Sequence, residues 1–131
     1  EILSGLVGSE MCIRDRVIVK ASADSEAGTM PSAELLEAME DFNRQLIAAG
    51  IMVTGDGLKP SSQGKRIHFD GTARTVSDGP FAQTNELVAG FWLWQVRDMD
   101  EAMEWAQRCP NPMPGPSDLE IRPLYEMADF E

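Results

Sequence analysis

The chain has 131 residues, a formal net charge of −11 and only two cysteines. This length fits one domain with its own hydrophobic core. The acidic excess argues against direct nucleic-acid binding, because phosphate contacts need a basic surface. No apolar run approaches the roughly 20 residues that a membrane span requires, and the cysteines lack the spacing of a disulfide framework or a metal site. We therefore expect a soluble, cytoplasmic protein without a cofactor or a bound metal.

The first sixteen residues, EILSGLVGSEMCIRDR, differ in character from the rest. They lack the basic start and longer apolar stretch of a signal peptide. No helix or strand period runs from them into the following sequence, and they resemble a translated sequencing-adapter stretch. We expect residues 1–16 to be a non-native or disordered extension and residues 17–131 to form the domain.

The first half of the domain predicts a strand, a helix and a second strand. Ser32 is a suitable helix N-cap, and Gly50 is a typical helix stop. Between them, apolar residues recur at intervals of three and four, as on one face of a helix. The Gly55-Asp56-Gly57 stretch indicates a bend with close backbone approach. The predicted elements are a strand at residues 17–21, a loop at 22–31, this helix, and a strand at 51–54.

The second half predicts a hairpin followed by a strand, a helix and a last strand. An Asp-Gly pair at residues 70–71 lies between two β-rich runs, which is a strong hairpin signal. With those two residues as the loop, Phe69 pairs with Thr72. The later elements are a strand at residues 88–96, a helix capped by Asp98, and a strand through Leu119 and Ile121. The order predicts an α+β, ferredoxin-like (split βαβ) sheet with two helices and an extra β-hairpin.

The strand at residues 88–96 carries large apolar side chains on both faces. Phe91 and Leu93 alternate with Trp92 and Trp94, and alternate residues of a strand point to opposite faces. Helices of a ferredoxin-like fold cover one face of the sheet, so the other must be buried against a partner or a ligand. We predict a homodimer with Trp92 and Trp94 in its core, and the alternative is a flat ligand stacked on these rings.

The polar residues of the hairpin offer few catalytic groups. His68 is the only histidine, and as a general base it would need an orienting partner, for which Asp78 is the nearest candidate. We favour the interpretation that His68 is an exposed strand residue. Lys65, Arg66 and Arg74 form a basic group that could hold a small anionic ligand. A charged edge that discourages strand addition is the alternative.

The most distinctive stretch is Asp78-Gly79-Pro80-Phe81. Gly-Pro favours a tight turn, Asp78 can accept hydrogen bonds from amides two residues on, and Phe81 would anchor the turn. The functional alternative makes Asp78 a carboxylate at the rim of a pocket, where it could accept a proton or bind a ligand hydroxyl.

This stretch and the five residues after it resemble the DGPFAETKE signature of the DGPF branch of the YCII-related family. Gln83 and Asn85 replace the Glu and Lys that are usual there. Further matches follow in order at Gly57-Leu58, Gly64-Lys65-Arg66, Gly90-Phe91-Trp92 and Cys109-Pro110. The resemblance implies a dimeric α+β-barrel, ferredoxin-like fold with a cleft around the signature.

Two classes of function remain open. The first is a small-molecule-binding protein or a lyase- or isomerase-like enzyme. Its candidate residues are Asp78 for catalysis and Lys65, Arg66, Phe81 and Trp92 for substrate binding. The second, which the resemblance implies, is a non-catalytic dimeric regulatory or partner-binding protein of bacteria, linked to sigma-factor-dependent transcription.

Overall fold

The structure, a computed structural model, describes residues 13–82 and 86–130. The strands are β1 (Ile13–Lys20), β2 (Met52–Gly57), β3 (Lys65–Asp70), β4 (Ala73–Asp78), β5 (Val88–Val96) and β6 (Leu119–Pro123). The helices are α1 (Ala23–Glu26), α2 (Ala33–Ala48) and α3 (Met99–Arg108), and 3-10 turns span Ser61–Gln63 and Met127–Phe130. One sheet has the order β2-β5-β1-β6, and β3 pairs only with β4. With α2 between β1 and β2 and α3 between β5 and β6, this order confirms the predicted α+β, ferredoxin-like fold.

Strand β1 begins at Ile13, four residues before its predicted start. Ile13 pairs with Val96 of β5, and Arg16 pairs with β5 on one side and with β6 on the other. These backbone pairings do not depend on an apolar side-chain pattern, which explains why the sequence missed them. The strand thus includes four residues of the segment that the sequence indicates to be an extension. Residues 1–12 lie outside the described part.

Helix α2 follows its predicted signals closely. The Ser32 hydroxyl accepts a hydrogen bond from the Leu35 amide at 3.1 Å, as an N-cap does. Gly50 has φ +74° just beyond the helix end, in the left-handed region that glycine occupies without strain. Phe42 and Leu46, four residues apart, are buried against the sheet. The predicted loop before α2 contains the short helix α1. This helix begins with a capping box, in which the hydroxyls of Ser22 and Ser25 each accept a hydrogen bond from the other residue's backbone amide.

The core lies between the sheet and the two longer helices. Trp92 and Trp94 both point into it, with their rings 6.0 and 6.3 Å from the ring of Phe42. The prediction that these tryptophans form a dimer core is therefore wrong. Strand alternation showed that β5 has two apolar faces, but not which face the helices cover. Phe91 and Leu93 occupy the opposite face.

The β3–β4 hairpin forms as predicted but in a different register. Asp70 pairs with Ala73 and Phe69 with Arg74, so the loop is Gly71-Thr72 and the predicted pairing of Phe69 with Thr72 is wrong. Gly71 has φ +60°, and a two-residue hairpin turn needs such a residue in its first position. Every residue of both strands is exposed. The hairpin therefore stands apart from the core as a separate two-stranded ribbon.

Candidate functional site

One cleft lies between α2, β2 and the loops around residues 28–32 and 112–114, with a volume of about 890 Å³. We call it the apolar cleft, and its main apolar lining residues are Leu35, Met39, Leu58, Trp92 and Met113. Leu35 and Met39 are one helical turn apart on α2 and so share a face. The sequence analysis predicted Trp92 as a binding residue, and the structure places it in this wall.

The Trp92 ring is fixed on two sides. Its Nε1–H donates a hydrogen bond to Oδ1 of Asn43 at 2.9 Å. A Cβ at Gly55 would lie 2.6 Å from Cδ1 of the ring, so only glycine permits this approach. This confirms the predicted close backbone approach, although Gly55 lies in β2 and not in a bend. The amide nitrogen of Asn43 has no hydrogen-bond partner within the described residues and offers one polar group beside an apolar wall.

A second cleft, which we call the basic cleft, has a volume of about 650 Å³. Its charged and aromatic lining residues are Glu26, Lys59, Lys65, Arg66 and Phe81. Three predicted binding residues, Lys65, Arg66 and Phe81, therefore share one cleft. The guanidinium of Arg66 lies 3.9 Å from the centre of the Phe81 ring, a cation–π contact. The segment 58–60 contributes to the walls of both clefts.

The Asp78-Gly79-Pro80-Phe81 turn packs on the 3-10 turn at Ser61–Gln63. The Ser61 hydroxyl accepts a hydrogen bond from the Phe81 amide at 3.0 Å and itself donates to the Glu26 carboxylate. A Cβ at Gly79 would collide with the Ser61 carbonyl oxygen. The prediction that Asp78 holds the amides of this turn is wrong, since Ser61 takes that role for Phe81.

Asp78 and His68 lie apart from each other, and neither lines one of the two clefts. The Asp78 carboxylate forms an exposed ion pair with Lys65, its cross-strand neighbour, and Asp78 is not among the lining residues of either cleft. His68 pairs with Thr75 and points to the opposite face of the hairpin. The structure therefore does not bring His68 and Asp78 together as an acid–base pair. Within residues 13–82 and 86–130, no group of three or more potential metal ligands occurs.

Two titratable groups with shifted pKa values lie outside both clefts. Burial raises the pKa of the Cys109 thiol to about 11, and this thiol donates to the Pro110 carbonyl oxygen at 3.2 Å. Burial also raises the pKa of the Asp15 carboxyl, which has no hydrogen-bond partner in the described part of the chain. A thiol with so high a pKa is a poor nucleophile at neutral pH, which agrees with a packing role for Cys109.

The sequence analysis missed most of the apolar cleft. Leu35, Met39, Asn43 and Met113 were not singled out, because helix α2 and the proline-rich loop after α3 meet only in the folded chain. One signal was available. Leu35 belongs to the apolar stripe of α2 but lies two turns before Phe42, the first residue of this helix that is buried in the core. An apolar side chain beyond the core in this way can line a cavity.

Fold and clefts together define a small α+β domain with a ferredoxin-like sheet, an inserted hairpin and an apolar cleft on the helix side of the sheet. Residues 17–127 match the YCII-related domain, and the chain belongs to this family. Over 114 residues it is 26% identical to an uncharacterized protein of Rhizobium meliloti (strain 1021), a match that covers 87% of this chain and 88% of that protein. The predicted family resemblance is confirmed at this level. No helix in the described ranges is long and apolar enough to cross a membrane.

Proposed function

We propose that this protein binds a small, largely apolar molecule in the apolar cleft. The observation that carries the proposal is the cleft itself. Its volume of about 890 Å³ falls within the range of about 300–1,000 Å³ that is typical of ligand sites. Its wall is mainly apolar, and Asn43 supplies an amide that could orient a polar group of the ligand. The Trp92 ring, held by Asn43 and Gly55, gives the ligand a rigid surface to stack on.

The lining of the apolar cleft supports binding better than catalysis. Its residues in the described part include no histidine or cysteine, and its two carboxylates, Asp24 and Asp56, are exposed. General acid–base catalysis relies on groups whose environment tunes their pKa towards the working pH. The lyase- or isomerase-like activity, with Asp78 as its catalytic residue, stays a prediction from the sequence.

Scanning calorimetry with two neutral aromatic probes, indole and 1-naphthol, tests the proposal. A probe that binds only the folded state raises the melting temperature in a concentration-dependent way. The Leu35→Arg variant places a charge in the cleft and should abolish the rise. Ile47→Arg, on an exposed position of the same helix outside the cleft, is the matched control. A rise of equal size in Leu35→Arg, or none in the parent, would contradict the proposal.

A small anion in the basic cleft is a second proposed ligand. Lys59, Lys65 and Arg66 line this cleft beside a single carboxylate of the described residues, Glu26, in a chain whose net charge is −11, and guanidinium groups pair well with carboxylate or phosphate. Inorganic phosphate should raise the melting temperature at constant ionic strength. Arg66→Gln should remove that effect, whereas Arg122→Gln, an exposed arginine on strand β6, should not. Equal responses of the two variants would count against an anion site.

Homodimerisation through the outer sheet face is also proposed. We define this face by Ile18, Phe91 and Leu93, which lie on the side of the sheet opposite the helices. The Arg16 guanidinium lies 4.9 Å from the centre of the Phe91 ring, so the apolar centre has a charged margin. Light scattering should give a dimer for the parent and weaker association for Leu93→Arg, and unchanged association of this variant would contradict the proposal. A regulatory role linked to sigma-factor-dependent transcription stays a prediction.

A further inference from the structure

The β3–β4 hairpin and the C-terminal residues 124–130 leave two apolar surfaces uncovered. We name the first the hairpin face, formed by Ile67, Phe69 and Val76, and the second the tail. We propose that the tail of a second copy of this chain docks on the hairpin face. Each surface is a contact site for the other, and the two together specify the partner as another molecule of the same protein.

The hairpin face is unusually apolar for an exposed ribbon. Ile67 pairs with Val76, and Phe69 pairs with Arg74, so all four side chains point to the same side. The three apolar side chains are between 54% and 63% exposed. A two-stranded hairpin alone is only marginally stable in water. Covering this face would therefore both bury the apolar groups and stabilise the hairpin.

The tail is ordered by its own contacts and not by packing on the core. Tyr125, Met127 and Phe130 are between 73% and 81% exposed. The Glu126 amide donates a hydrogen bond to the Asp129 carboxylate at 2.7 Å, and the rings of Tyr125 and Phe130 are 5.1 Å apart. A segment that holds its shape before binding loses less conformational entropy when it docks.

The two surfaces are complementary in charge. The charged residues of the hairpin are Lys65, Arg66, Asp70, Arg74 and Asp78, which sum to 3 − 2 = +1 with His68 neutral. The tail carries two acids, Glu126 and Asp129, and no lysine or arginine. The Arg74 guanidinium lies 4.5 Å from the centre of the Phe69 ring and donates to the carbonyl oxygens of its own turn. It forms no ion pair within the described residues, so its charge can meet a carboxylate of the tail. Such complementarity guides association and fixes its orientation.

The position of the two surfaces in the fold points to exchange between copies. The hairpin follows β2 and the tail follows β6, and these strands are the opposite edges of the sheet. They are separated by three strand spacings, about 14 Å. In a reciprocal pair, each hairpin face receives the tail of the other copy, so neither of these two surfaces is left to bind a third copy. A two-fold axis parallel to the strands brings these opposite edges of the two copies together.

Sedimentation velocity on full-length variants tests the exchange. Phe69→Asp disables the hairpin face and keeps the tail, whereas Tyr125→Asp combined with Phe130→Asp disables the tail and keeps the hairpin face. We expect each variant alone to associate at least tenfold more weakly than the parent. A 1:1 mixture should regain part of the association, because an intact tail then meets an intact hairpin face. Ile47→Asp, at another exposed apolar position and outside both clefts, is the control and should behave as the parent.

Three results would overturn the proposal: a monomeric parent at 100 µM, unchanged association of the two variants, or no recovery in their mixture. Leu93→Arg separates this contact from the outer sheet face. If only that face mediates dimers, Leu93→Arg abolishes association and Phe69→Asp leaves it unchanged. Arg74→Glu supplies a second variant of the hairpin face. It should weaken association most at low salt, because screening reduces the contribution of exposed charges.

Discussion

Replacing Asp15 with valine should stabilise the protein. Asp15 lies on β1 and is fully buried, with Trp94 and Pro123 as its cross-strand neighbours. Neither carboxylate oxygen has a hydrogen-bond partner in the described structure. The next inward-facing residue of the strand, Val17, is a core residue. A valine at position 15 would continue this apolar row and suit the strand backbone.

The size of the effect follows from two contributions. A buried polar group without a partner costs about 1–3 kcal/mol, and burying a valine side chain contributes about 1.5 kcal/mol. The free energy of unfolding should therefore rise by about 2.5–4.5 kcal/mol. With an unfolding entropy of about 2.1 cal/mol/K per residue, the change corresponds to roughly 9–16 °C in melting temperature for a chain of this length.

The difference should depend on pH in a defined direction. Because burial raises the pKa of Asp15 in the folded state, the folded protein binds a proton more readily than the unfolded chain. The contribution of Asp15 to stability is then greatest below its ordinary pKa and is lost as the pH rises through the raised value. The advantage of Asp15→Val over the parent should accordingly be largest at neutral pH and shrink towards acid pH.

Urea unfolding of the parent and of Asp15→Val across this pH range measures the effect. Asp70→Val, which removes an exposed acid from strand β3, is the matched control and should change stability by less than about 0.5 kcal/mol. An unchanged or lower stability of Asp15→Val at neutral pH, or a difference independent of pH, would show that the carboxylate is not an unpaired buried group.

Three further predictions concern single positions. Asp78→Ala should change the free energy of unfolding by less than about 1 kcal/mol in urea titrations, because its ion pair is exposed; a larger loss would restore a structural role. Gly79→Ala should cost about 1–3 kcal/mol by the same assay, because the new methyl group meets Ser61, whereas Gly115→Ala, in open space, should be tolerated. Iodoacetamide should alkylate Cys109 at pH 8 about 100-fold more slowly than a small free thiol, since its pKa is about 11; rapid labelling followed by mass spectrometry would refute this.

The parts of the fold that depend on local signals were predictable. Ser32 and Gly50 mark the ends of α2 through capping chemistry that involves only neighbouring residues. Strand β5 was predicted with its observed bounds because its apolar run is long. The start of β1 and the register of the hairpin were not predictable, because both depend on which backbone groups pair across strands. An Asp-Gly pair signals a hairpin. Whether the glycine takes the first or the second position of the loop, however, changes the cross-strand partner of every residue in both strands.

The candidate site was predictable only in part. Arg66 and Phe81 share the basic cleft, as expected of residues near one turn. Trp92 was predicted as a binding residue, but its neighbours Leu35 and Met113 come from distant parts of the chain, and no local pattern connects them. Asp78 was selected because aspartate is chemically versatile, and the fold places it on an exposed hairpin edge.

All three tryptophans of the chain belong to one aromatic cluster around Phe42. Trp92 and Trp94 lie 5.7 Å apart on the sheet, and Trp105 on α3 lies 6.4 Å from Phe42. Tryptophan emission therefore reports on a single place, where both long helices meet the sheet. It will follow the opening of that interface and any quencher that reaches Trp92. The hairpin and the tail contain no tryptophan, so their rearrangements will not be reported by tryptophan emission unless an indole is introduced there.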